Sequence, residues 1–124
     1  MPTFAELYTP LLKEVFARMA REQLEQGADA VALAREYAEK GKPDFVLAYL
    51  LRVEATDEVK RDIYAHAYER RAALSDEQAR AFSRRFRRAF PLIREQARKD
   101  RQTATHVREG QEIGYDNNES LDLK

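Results

Sequence analysis

FVLAYLLRV, residues 45–53, decides the fold. Almost every side of any regular element built from it is apolar. Periodicity alone therefore accommodates a buried strand as well as a buried helix. Composition and surroundings separate the two. Leucine and alanine favour the helix, Pro43-Asp44 opens the segment, and helical apolar spacing flanks it on both sides. The reading is a central buried helix, and with it an all-α domain.

Working outward, Thr3 and Glu6 form a capping box for a short first turn. Thr9-Pro10 reads as an N-cap with proline at the first helical position, opening a helix that carries Leu12, Val15, Phe16 and Met19 and stops at Gly27. Asp29 caps a second helix that runs through Lys40, ended by Gly41. After the central segment, Thr56 caps a helix with Val59, Ile63, Ala67 and Leu74 along its apolar side. Ser75 and Gln78 form a second capping box, predicting a new helix from there to about Ala89. Phe90-Pro91 must kink or break it, because proline removes a donor and clashes with the preceding turn. A last helical stretch covers about 92–109. GQEIGYDNNESLDLK after it is polar, acidic and aperiodic, the pattern of a flexible tail. The expected architecture is a compact bundle of five or six helices packed as hairpins, with one domain over 1–109 and a tail over 110–124.

A 31-residue internal repeat relates Ala34, Tyr37, Asp44 and Ala48 to Ala65, Tyr68, Ser75 and Ala79. In each copy an aromatic helix leads through a turn to a capping residue and a new helix. LAREYAEKG followed by DFVLA, within residues 33–48, resembles a tetratricopeptide helical hairpin. The second copy lacks the turn glycine, two residues are inserted before Asp44, and such arrays need about three units to share a core. An ordinary pair of helical hairpins is the simpler expectation, and the family's peptide groove is not carried over.

The 124 residues are enough for one domain that buries roughly two-thirds of its unfolded surface. There is no cysteine, so disulfides, zinc–thiolate sites and thiol nucleophiles are excluded, and a reducing cytoplasm is the expected location. No apolar stretch approaches twenty residues, and MPTFAELY has no signal-peptide character, so it reads as the mature start with no membrane span.

Chemistry is hard to find. His66 has Asp62 and Glu69 near it in sequence, and His106 has Glu109. Di-iron bundles use Glu-x-x-His, whereas both histidines here stand in the reversed order, so surface histidines beside helical acids are expected and no metal site is assigned. DNNES in the tail fails as a calcium loop, since the sixth residue from Asp116 is Leu121 and the chain ends before a twelfth. The four glycines are scattered and form no phosphate cradle. Serines 75, 83 and 120 lie far in sequence from both histidines. Asp57-Glu58 and Asp76-Glu77 sit in first helical turns, where they complement the dipole. No catalytic constellation, cofactor or small-molecule substrate is indicated.

What does stand out is charge. The chain has 22 basic and 22 acidic residues, yet residues 80–101 alone hold nine basic and two acidic side chains. Within it lies RAFSRRFRRAF, residues 80–90. On a helical wheel Ala79, Phe82, Phe86, Ala89, Ile93 and Ala97 share the inward sector, and Arg80, Arg84, Arg87, Arg94 and Arg98 lie roughly opposite. Outward charges elsewhere are largely paired at i,i+4, as in Glu14–Arg18, Arg21–Glu25, Glu36–Lys40 and Asp57–Arg61, and Arg80 has Asp76. Arg84, Arg87 and Arg88 have no acid at these spacings, and Arg80–Arg84 and Arg84–Arg88 repel by a few tenths of a kcal/mol. Three explanations compete: a solvated face or one paired with other helices, an acidic protein surface or second copy, and nucleic acid. The near-neutral balance and the lack of outward aromatics count against nucleic acid. The expectation is therefore a non-catalytic interaction or adaptor protein, binding a protein partner or itself through Arg80, Arg84, Arg87, Arg88, Arg94 and Arg98. Nucleic acid binding through the basic stretch 80–101 is the alternative, and the acidic tail is a candidate competitor for the same face.

Overall fold

Residues 43–50 are helical, and their helix is the centre of the molecule. In the computed structural model, which describes residues 2–81 and 90–113, α1 spans Phe4–Tyr8 and a 3-10 turn follows at Thr9–Leu11. Then come α2 (Glu14–Glu25), α3 (Ala30–Glu39), α4 (Pro43–Leu50), α5 (Asp57–Ala81) and α6 (Phe90–Arg108). Among the described residues there is no strand. The all-α expectation holds.

α4 begins with Pro43 in its first turn, where a missing N–H costs nothing. Val46 to Leu50 are each at most 1% exposed. A helix this apolar must be covered all round, and α2, α3 and α5 all pack on it. α3 and α4 form one hairpin. α5 and α6 form a second and share the most extensive packing in the fold. The two run antiparallel, since Arg71 meets Asp100 while Arg108 reaches back to Glu69 and Asp62.

Two aromatic groups fill the core. Phe4, Tyr8, Tyr64 and Tyr68 meet edge-on or tilted with ring centroids 4.8–5.6 Å apart. Phe16, Phe45, Tyr37 and Tyr49 make the other, with Tyr37 stacked on Phe45 and on Tyr49. Burial pushes the Tyr8 hydroxyl up to about 12, with Arg61 opposing, and raises Tyr64 and Tyr68 as well. Tyr8 donates to the Gln111 carbonyl at 2.7 Å, and Ile113 packs on the core. The first residues of the stretch 110–124, read as a flexible tail, thus dock beside α1; its remainder, 114–124, lies outside the described residues.

Several local expectations hold. Thr3 accepts from the Glu6 N–H, Asp29 from Val31 and Ala32, and Thr56 from Val59. Others do not. The Ser75–Gln78 box starts no helix, because α5 runs unbroken from Asp57 to Ala81. No glycine or proline interrupts residues 72–79, and Ala72 and Ala79, two turns apart, are both buried. The 31-residue repeat is therefore not a structural repeat: its second copy falls inside one helix. Pro91 lies within α6, and the expected kink or break at Phe90-Pro91 adjoins residues 82–89, outside the described residues. Thr9-Pro10 opens only the 3-10 turn; Leu12 and Lys13 are extended and α2 starts at Glu14. The turn buries Leu11, and the later start rotates Val15 out to 66% exposure while Ala17 and Ala20 face in.

Candidate arginine groove

Two helices supply the walls of a strongly basic depression. From α6, Arg94, Arg98 and Arg101 stand at i, i+4 and i+7 and so share a face. From the last turns of α5 come Asp76, Ala79 and Arg80. Together they line an open groove of about 450 Å³.

What fixes the two walls is a buried polar contact beneath them. Asp100 is fully buried. It accepts from Arg71 Nε at 3.0 Å and from an Arg71 terminal nitrogen at 2.8 Å, and Gln96 Nε2 donates to it at 2.9 Å. This two-pronged pair sets the register of α6 on α5. Burial is the largest single influence and works against the Arg71 charge, yet its hydrogen bonds to Asp100 and the attraction of Asp100, Tyr68 and Asp44 together outweigh it and raise the guanidinium above its ordinary value. The Arg71 guanidinium also stacks 5.2 Å from the Tyr68 ring centre.

The groove's own charges are unequally satisfied. Arg101 pairs with Asp76 across the helices. Arg98 is held by Glu95 on its own helix, with Nε 3.0 Å from Oε2, and the contact lowers the Glu95 carboxyl and raises Arg98. Arg80 and Arg94 are exposed and have no ion-pair partner among the described residues. Asp76, expected beside Arg80, faces Arg101 instead.

Of the six arginines read from the sequence, the fold brings Arg80, Arg94 and Arg98 to one groove; Arg84, Arg87 and Arg88 lie outside the described residues. Arg101 and Asp76 were not in that set. Arg101 continues the Arg94–Arg98 stripe by one turn and falls beside Arg94 on the same wheel. Asp100 carries its own signal, an acid among Ile93, Ala97, Ala104 and Val107 on the inward side of α6. Of the expected helical pairs, Glu36–Lys40 forms at 3.1 Å. Arg21 reaches Glu14 two turns away rather than Glu25, and Asp57 accepts the Phe4 N–H at 3.1 Å, tying α1 to α5.

His66 belongs to a different surface. Its Nε2 donates to Glu39 of α3 at 2.5 Å, with Glu69 at 3.9 Å from Nδ1, while Asp62 is taken by Arg108. Among the described residues no group of three or more metal-ligating side chains converges. The hydrogen bond from His66 is the main reason the Glu39 carboxyl lies below its ordinary range; slight desolvation opposes it, and attraction to His66 and Arg70 adds. A depressed carboxyl stabilises the fold above its unfolded value, and that contribution is lost as pH falls through the folded one. His66→Ala is expected to move Glu39 back up toward an ordinary carboxyl, read by side-chain NMR titration. An unchanged titration would assign the shift to Arg70 alone.

No helix among the described residues is long and apolar enough to cross a membrane. The chain matches no known protein family, and no curated protein or solved structure is significantly similar to it.

Proposed function

We propose that this is a non-catalytic interaction protein that engages an acidic protein partner through the groove between α5 and α6. The observation that supports the reading is the gathering of four arginines from two helices in one groove. Arg80 and Arg94 stand exposed on facing helices with no carboxylate partner among the described residues, in a groove they share with Arg98 and Arg101; Arg18, Arg35 and Arg52 are exposed and unpaired too, but do not line it. Arginine forks are well suited to planar acids at interfaces. Arg84, Arg85, Arg87 and Arg88 add to the charge of the same stretch of sequence. The lack of cysteine is in keeping with work in a reducing cytoplasm.

A labelled glutamate-rich peptide and a labelled oligonucleotide, each titrated at low and moderate salt, test this against the nucleic-acid reading. The peptide should bind, and Arg80→Ala/Arg94→Ala should weaken it about tenfold or more, the worth of one or two charged hydrogen bonds. Both side chains are exposed, so the double variant should keep its stability within about 1 kcal/mol. Oligonucleotide binding with a steep salt slope, and none of the peptide, would make this a nucleic-acid protein. Binding of neither would sink both readings.

A further inference from the structure

We infer that the group the groove recognises is a phosphomonoester on a serine or threonine side chain of the partner, gripped between Arg80 and Arg94. This rests on the acidic-partner reading and narrows it.

Charge comes first. Among the described residues the groove is lined by four guanidinium groups and one carboxylate. Asp76 answers Arg101, and Glu95, just outside, answers Arg98. Two positive charges remain, on Arg80 and Arg94. A phosphomonoester carries about −1.5 to −2 at neutral pH, close to that deficit, whereas a single carboxylate leaves half of it unanswered. The segment 82–89 that joins the two walls, FSRRFRRA, contains no acid and so supplies no counter-ion of its own.

Shape points the same way. The two arginines stand on different helices, so an anion between them is approached from two sides. A phosphoryl group offers three terminal oxygens in different directions and can accept from two forks at once. A carboxylate offers two oxygens in one plane, which suits a single fork. Arg98 and Arg101 are already held by their carboxylates, so they keep the local potential positive without having to be ordered on binding. Among the described residues the apolar lining is Ala79 alone, which offers no pocket for a particular neighbouring side chain. The groove is built to read charge rather than sequence.

The test is fluorescence anisotropy with a labelled glycine–alanine peptide carrying one phosphoserine. The same peptide with serine, and with two adjacent glutamates in its place, serve as comparisons. The phosphopeptide should bind about tenfold or more tighter than the glutamate form, the serine form should not bind, and Arg80→Ala/Arg94→Ala should abolish the difference. Arg80→Lys/Arg94→Lys keeps the charge but removes both forks; it should bind the glutamate peptide as before and lose the preference for phosphate. Equal binding of the phosphoserine and glutamate peptides would overturn the phosphate assignment and leave the acidic-partner reading standing. Binding of no peptide would overturn both. Inorganic phosphate that competes as tightly as the phosphopeptide would overturn the assignment to a protein partner, in favour of a small phosphate ligand.

Discussion

Asp100→Ala is expected to cost about 3–5 kcal/mol of folding stability, a large fraction of what a domain of this size has. The reason lies in what stays behind. Asp100 is fully buried, and the Arg71 side chain is only 12% exposed. Truncating the acid leaves a guanidinium deep between α5 and α6 with its principal anion gone, and leaves Gln96 without its acceptor. Arg71 still faces the Tyr68 ring and feels Asp44, so some compensation remains, but neither replaces a two-pronged carboxylate. Chemical denaturation measures the loss. The informative companion is Arg71→Met/Asp100→Leu, which removes both charges and keeps the bulk. It should be more stable than Asp100→Ala, because a buried pair replaced whole is often neutral while a broken one is not. A cost below about 1 kcal/mol for Asp100→Ala would mean that water or another acid reaches Arg71, and that the pair does not set the register of the groove walls.

This contact also shows where sequence reading stops. Helix identity is local information. Pro43, the Asp29 and Thr56 caps and the glycine at 41 each act within one turn, and so the fold class and most helix starts can be read from neighbours in sequence. Whether a start signal is used is not local. Ser75–Gln78 has the form of a capping box, but burial of Ala72 and Ala79 against α6 carries the helix through it. Ion pairs fail for a related reason. The i,i+4 rule sees one helix, while an arginine is long enough to reach the next. Asp76 therefore goes to Arg101 and Glu39 to His66 and Arg70, and none of these partners is close in sequence. The groove itself was half legible. A stripe of arginines can be placed on a wheel; that its opposite wall carries Asp76, Ala79 and Arg80, beside a buried salt bridge, depends on how α5 and α6 pack.

Gly41→Ala should be the other severe substitution, and Gly27→Ala tells why. Both glycines follow a helix and have positive φ, +68° at Gly41 and +86° at Gly27. For an L residue that conformation costs about 1–2 kcal/mol, so both variants lose this much. At Gly27 a Cβ meets nothing within 4 Å, and the loss ends there. At Gly41 the new carbon would lie 2.8 Å from the backbone N of Arg71 and 2.9 Å from its Cα, with Leu74 Cδ1 at 3.2 Å. The leucine can turn aside; the backbone of a 25-residue helix cannot. Relief requires the α3–α4 turn to lift off α5, at the very residue whose side chain holds Asp100. We expect Gly41→Ala to lose about 3 kcal/mol or more, against about 1 kcal/mol for Gly27→Ala, by denaturant unfolding. If the two variants lose the same amount, the contact between Gly41 and Arg71 is loose enough to yield. The hairpin of α3 and α4 would then rest on α5 through its side chains rather than through its turn.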